Sequence, residues 1–215
     1  MINRNAKPRI LLADDHRIVV DGLRQLLEPD FYVLGSVEDG RTLVKQARKL
    51  MPDVIIADIS MPLLNGIEAA RQIKEILPGT KIIFLTMHPD VIYAARAFEA
   101  GANGYVLKHS ASDELVAAIT SVLKGQTYVT PMIAGELMDS YRHPSHKLSD
   151  QDYEFTPRQR EVLQLVVEGK SAGEIADLLC ISPRTVEYHK YKMMEKLNLK
   201  SSTDLIRYAI KHSLL

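Results

Sequence analysis

The sequence predicts an α/β protein: a doubly wound, five-stranded parallel sheet of order 2-1-3-4-5, followed by a small all-α unit. Two observations carry this reading. Before residue 126, five short apolar runs each precede a segment with helical periodicity, and after Thr156-Pro157 every segment reads as helix. The apolar runs lack polar alternation, as expected of a sheet covered on both faces. Right-handed crossovers then place helices on both sides and sites at the carboxyl ends of the strands.

The pairs follow in order: RILLA then HRIVVDGLRQLLE, YVLGSV then GRTLVKQARKL, DVIIAD then GIEAARQIKEIL, KIIFLTM then DVIYAARAFEAG, and GYVLK then SDELVAAITSVLKG. From about Thr127 the pattern decays into a stretch with Pro131, Pro144 and several Ser, His and Asp residues, with room for one short helix near 133–141. The expected organisation is therefore a first domain over 1–127, a linker over 128–154 and a helical domain over 155–215.

Composition narrows the class. At 46% hydrophobic and 25% charged, with no apolar run near the roughly 18 residues needed to span a bilayer, the chain reads as an ordinary globular protein of the cytoplasm. The amino terminus has no long apolar segment with a cleavage site. Cys180 is the only cysteine, which excludes an internal disulfide, and its apolar neighbours suggest a buried structural thiol. The 27 basic and 27 acidic residues cancel, yet cancellation over the whole chain can hide a local basic face.

Polar residues end the strands. The first run ends in Asp14-Asp15, the third in Asp58, the fourth in Thr86 and the fifth in Lys108. In a 2-1-3-4-5 sheet, strands one and three are neighbours at the switch point, so their carboxylates converge in one crevice. Like charges about 4 Å apart at an effective dielectric near 20 repel by about 4 kcal/mol per pair. A hard divalent cation such as Mg²⁺ offsets that repulsion and adds phosphate oxygens to its shell. Lys108 supplies a second positive charge and Thr86 a hydroxyl, so a phosphoryl group fits here, with Asp58 as nucleophile. Taken singly, Asp14 or Asp15 reads as a helix cap, Thr86 as a β-favouring residue and Lys108 as a solvated strand end. Their joint position around one crevice favours the functional reading. His16, His88 and His109 lie near the same rim and read as exposed loop histidines.

The spacing Asp14-Asp15, Asp58-x-x-Met61-Pro62, Thr86 and Lys108 resembles the receiver domain of two-component response regulators over about the first 125 residues. The resemblance implies a flavodoxin-like fold and phosphorylation of Asp58 by a sensor histidine kinase. It also implies Mg²⁺ held by Asp14, Asp15, Asp58 and the backbone carbonyl of Ser60, with Lys108 on the phosphate. Thr86 and Tyr105 are the implied switch pair, Thr86 moving toward the phosphate as Tyr105 packs inward. The sequence departs from the family at Met87, where a small residue is frequent, and at His109, where proline is common.

In the second domain, SAGEIADLLCISPRTVEYHKYKMMEKL has the grammar of a helix-turn-helix: a helix over Ala172 to Leu179, a turn, and a second helix with Ser182 as N-cap and Pro183 at its first position. Ile175, Ala176, Leu179, Val186, Met193 and Leu197 form the apolar stripe. Arg184, Lys190, Lys192, Lys196 and Lys200 outnumber Glu187 and Glu195 on the solvent side. Interleaved with Tyr188, His189 and Tyr191, they suit a helix in the major groove. A helical hairpin whose mildly basic face binds protein is the competing reading. Thr156-Pro-Arg158, Glu161-Val-Leu163, Gly169, Glu174-Ile-Ala176, Ile181-Ser182, Thr185-Val186, His189 and Lys196-Leu197 are similar to the LuxR-type output domain of the NarL/FixJ class. That resemblance implies contacts to double-stranded DNA from Arg184, Thr185, Glu187, Tyr188, Lys190, Tyr191, Lys192 and Lys200, made by a homodimer in the active form. Gln159 replaces a usual glutamate, and Glu187 stands where a groove-reading lysine is common. An acid there loses phosphate attraction but can accept from cytosine N4.

The function expected is thus a DNA-binding transcriptional response regulator, which is not an enzyme beyond catalysing its own phosphotransfer and dephosphorylation. Two alternatives compete. A Mg²⁺-dependent aspartyl-phosphate hydrolase of the haloacid dehalogenase type needs a second acid two residues after the nucleophile, where this chain has Ser60. A regulator that binds DNA without phosphorylation would not require the acidic set.

Overall fold

The computed structural model describes residues 7–142 and 155–211. The chain forms two compact units, Met1–Lys147 and Leu148–Leu215. In the first, β1 (Arg9–Ala13), β2 (Tyr32–Val37), β3 (Val54–Ala57), β4 (Lys81–Thr86), β5 (Gly104–Leu107) and β6 (Tyr128–Val129) form one sheet of order β2-β1-β3-β4-β5-β6. Every pairing is parallel. The helices α1 (Arg17–Leu27), α2 (Gly40–Leu50), α3 (Gly66–Ile76), α4 (Val91–Glu99) and α5 (Ala111–Leu123) alternate with the strands. Order 2-1-3-4-5 is therefore as expected, with one strand more.

The period of two in each strand sorts side chains between the faces. Ile10, Leu12, Val54, Ile56, Ile83, Leu85 and Val106 pack in one cluster with Val20, Leu23 and Leu27 of α1 and Leu115, Ala118, Ile119 and Val122 of α5. The intervening Leu11, Ile55, Ile82 and Phe84 are equally buried and face the other side. Full burial of each such chain contributes about 2 kcal/mol, which is why the strands are apolar throughout. Helices α2, α3 and α4 start on side-chain caps: Asp39 accepts from Thr42 N, Asn65 from Glu68 N and Asp90 from Ile92 N.

Part of the expected linker belongs to the first unit. Tyr128–Val129 pairs with Gly104–Tyr105 as β6, and Thr130 leads into α6 (Pro131–Arg142). The Thr130 hydroxyl accepts from Leu107 N at 3.2 Å and donates to Glu114 at 2.9 Å, and Tyr128 donates to the same carboxylate. A two-residue strand carries too little periodicity to be read from sequence. Of the remaining linker, 143–154 lies outside the described residues.

The second unit contains α7 (Pro157–Val167), α8 (Ala172–Leu179), α9 (Pro183–Lys196) and α10 (Ser202–Lys211). Thr156 and Ser171 open their helices with capping boxes, Gln159 and Glu174 reaching back to the cap backbone. Gln159 thus performs as a cap partner the part expected of glutamate. Ser182 accepts from Thr185 N at 3.1 Å, with Pro183 at the first helical position. Val162, Leu163, Leu165, Ile175, Leu179, Val186, Met193 and Leu205 close the core. Cys180 corrects the sequence reading. It is exposed, because it ends α8 in the left-handed region at φ 52°, where its side chain leaves the apolar stripe.

Candidate functional site

At the carboxyl end of the sheet, backbone bonds set the geometry before side chains act. Asp58 N donates to Ala13 O at 2.8 Å and Asp14 N to Val37 O at 3.0 Å, so β1 and β3 deliver both carboxylates to the same crevice. Beyond Asp58 the chain turns back on itself. Gly66 N donates to Ile59 O, and a Cβ on Gly66 would stand 2.1 Å from Asp58 O. Only glycine lets α3 begin this close to the end of β3. Met61 is buried in that loop, so the break after Asp58 is a packed turn.

The Lys108 ammonium bridges the crevice, 2.6 Å from Asp58 Oδ2 and 2.7 Å from Asp14 Oδ2, with its side chain 11% exposed. Burial opposes its charge, but the hydrogen bonds to Asp14 and Asp58 outweigh that penalty and raise its pKa above the ordinary lysine value. The other Asp58 oxygen accepts from Ile59 N at 2.6 Å and from Ser60 N at 3.4 Å. Asp15 sits at the rim, its side chain 37% exposed. Thr86 is fully buried at the end of β4, where its hydroxyl accepts from His88 N at 3.3 Å.

Ligand atoms of Asp14, Asp15, His16 and Asp58 all lie within 4.8 Å of one another, so the cluster could hold a metal ion. Three carboxylates against one ammonium leave an excess of two negative charges. With oxygen donors predominating, the set fits a hard divalent cation.

His88 departs from the sequence reading, and His16 is exposed as that reading expected. His16 is largely exposed, yet Nδ1 lies 2.8 Å from Asp15 Oδ1 and 3.2 Å from Asp14 Oδ1. His88 is half-buried: Nε2 meets Ser60 Oγ at 2.9 Å, and the ring stacks on Tyr93 with centroids 4.3 Å apart. Its carbonyl accepts from Tyr105 OH at 2.8 Å. Tyr105 is fully buried, and burial first, then the charges of Asp90 and Asp58, pushes its phenol far above the usual range. His16 adjoins Asp14-Asp15 and His88 lies two residues past Thr86, which is the signal that pointed to both. His109 is exposed, as expected.

In the second unit α9 buries Val186 and Met193 and exposes Arg184, Glu187, Tyr188 and Tyr191. Lys190 Nζ lies 2.9 and 3.2 Å from the two oxygens of Glu187, and Lys192 Nζ lies 2.7 Å from Glu195. The Lys192 ammonium is also 6.0 Å from the Tyr191 ring centroid. Thr185 is half-buried, its hydroxyl 2.8 Å from Ser182 Oγ, and Lys200 is exposed beyond the helix. His189 is turned partly inward; burial, then the charge of Arg158, lowers its pKa below 6.5.

A parallel sheet ending in an acidic crevice closed by a largely enclosed lysine, in a chain that also carries a helix-turn-helix unit, defines a response regulator. The family model for the response regulator receiver domain matches residues 10–120, and that for the bacterial regulatory proteins of the luxR family matches 154–209. The chain belongs to the two-component response regulators with a LuxR-type output domain, a family of transcription regulators.

Relatives match along nearly their whole length. The oxygen regulatory protein NreC of Staphylococcus carnosus is 36% identical over 214 residues, covering 96% of this chain and 99% of that one. The response regulator UvrY of Escherichia coli is 36% identical over 207 residues, covering 95% and 94%. Among solved structures, the RcsB response regulator of Salmonella typhimurium is 30% identical, covers 96% of this chain and 98% of its own, and has a TM-score of 0.66. A second RcsB structure, with promoter P1flhDC and the phosphomimetic BeF3-, has a TM-score of 0.64 at 30% identity, covering 94% and 98%. Among the described residues no helix is long and apolar enough to cross a membrane.

Proposed function

We propose that Asp58 accepts a phosphoryl group from a sensor histidine kinase and that this phosphorylation turns on promoter binding by the helix-turn-helix unit. The observation that carries the reading is the largely enclosed Lys108 bridging Asp58 and Asp14. Its ammonium holds the Asp58 carboxylate in place and stands where charge develops on the transferring group. A carboxylate oxygen of Asp58 attacks phosphorus, the P–N bond of the phosphohistidine breaks, and the kinase imidazole leaves with the electron pair. Asp14, Asp15, Asp58 and the Ser60 carbonyl would hold Mg²⁺, which when bound supplies neutralising charge for the phosphoryl oxygens. The same groups would let the receiver catalyse its own dephosphorylation.

Thr86 and Tyr105 form the switch. The Thr86 hydroxyl, now bonded to His88 N, would turn to the phosphoryl oxygens, and Tyr105 would hold the loop after β4 through His88 O. Phosphorylation adds up to two negative charges, and a bistable loop of this kind converts them into a change of surface. The output unit then binds DNA as a two-fold dimer in the cytoplasm. Arg184, Lys190, Lys192 and Lys200 would contact phosphates, and Thr185, Glu187, Tyr188 and Tyr191 would lie toward base edges.

The chemistry is tested by incubating the full chain with Mg²⁺ and radiolabelled acetyl phosphate. Hydroxylamine-labile label is expected on the wild type and absent from Asp58→Asn. Equal label on both would overturn Asp58 as acceptor.

A further inference from the structure

An acidic residue on the exposed face of a DNA-reading helix needs explaining, because it faces a surface of phosphates. Glu187 is the fifth residue of α9, in the amino-terminal part from which recognition helices address base edges. Its side chain is 57% exposed, and it shares its face with Arg184, Tyr188 and Tyr191. The Lys190 ammonium is chelated by both Glu187 oxygens while its own side chain is only 16% exposed. Lys190 is thus drawn back against the helix and cancels the Glu187 charge. The outer lone pairs of the carboxylate remain free to accept.

We propose that Glu187, neutralised by Lys190, is a specificity-determining residue that selects a C·G pair in each half-site by accepting from the cytosine N4 amino group. In the major groove that amino group is the donor a carboxylate matches, whereas guanine O6 and N7 and thymine O4 are acceptors that repel it. Adenine N6 also donates, but N7 beside it is an acceptor that a carboxylate meets unfavourably. Lys190 in this arrangement holds Glu187 in place and lowers its repulsion from the phosphates. The inference rests on DNA recognition by α9 and adds which base the helix reads.

The test is selection of duplexes from a random pool by the full chain treated with Mg²⁺ and acetyl phosphate, at one fixed salt concentration. The wild type is expected to recover a fixed cytosine in each half-site, with other bases there weakening binding by about tenfold. Glu187→Ala, at an exposed position, should bind the pool but lose preference at that one position. Glu187→Gln, able to pair with adenine N6 and N7, should shift it from cytosine to adenine. Lys190→Met should weaken binding to all duplexes alike, since the freed carboxylate then repels phosphates. Selective binding with the same consensus in wild type, Glu187→Ala and Glu187→Gln would overturn the inference and leave DNA recognition standing. No sequence-selective binding by the wild type would overturn both.

Discussion

The Lys108 ammonium lies 2.6 Å from Asp58 Oδ2, its side chain only 11% exposed, and its second bond to Asp14 joins the ends of β1, β3 and β5. Removing it leaves two buried carboxylates facing each other. Breaking such a pair costs about 3 kcal/mol or more. Lys108→Ala should therefore unfold at lower temperature in metal-free buffer, and Mg²⁺ should recover part of the loss. Because the Lys108 pKa is raised, the bridge is intact below the ordinary lysine value of 10.5 and is lost only as pH rises through its higher folded value. Calorimetric melts with and without Mg²⁺ check this, and equal melting of variant and wild type in metal-free buffer would contradict it.

Tyr105→Phe removes one hydrogen bond, to His88 O, from a fully buried ring. The stability loss should be about 1 kcal/mol. Label on Asp58 should persist, since the hydrogen bond removed goes to His88 O, while the gain in DNA affinity on phosphorylation should shrink. Denaturant melts and binding titrations on one preparation separate the two effects.

Thr130 ties the sixth strand to the functional end of β5. Thr130→Val keeps its shape but takes the side-chain acceptor from Leu107 N and removes one of the two hydroxyls that donate to Glu114, Tyr128 supplying the other. A loss of about 1 to 3 kcal/mol is expected, and hydrogen exchange at Leu107 N should quicken. Unchanged exchange there would show that β6 does not hold the sheet edge.

His189 carries a depressed pKa, so it is neutral in the folded state near pH 7. A lowered pKa gives stability that is full above the unfolded value of 6.5 and is lost as pH falls through the folded value. The output unit should weaken in mild acid, and His189→Gln should flatten that slope. Melts between pH 5 and 8, a range set by the histidine reference value of about 6.5, check the sign.

The sheet and its acidic end were legible in the sequence because both follow from one-dimensional rules. Apolar runs of strand length carry Asp14, Asp58, Thr86 and Lys108 to their ends, and parallel order brings those ends together. What stayed hidden depends on side chains meeting across loops. Nothing in the spacing places His88 on Ser60 and Tyr93, or shows that a two-residue strand closes the β5 edge through Thr130. Cys180 was misread because its apolar neighbours are real but its backbone turns left-handed just after the last helical residue. In α9 the residue types were plain, whereas the pairing of Lys190 with Glu187 needed coordinates.

Phosphorylation of Asp58 is expected to license DNA binding. The direct measurement is the affinity of the full chain for one selected duplex, at fixed salt, before and after treatment with Mg²⁺ and acetyl phosphate. The wild type should bind at least about tenfold more tightly after treatment, a coupling of roughly 1.4 kcal/mol, and Asp58→Asn should not respond. Equal affinity in the wild type before and after, or an equal gain in Asp58→Asn, would contradict it.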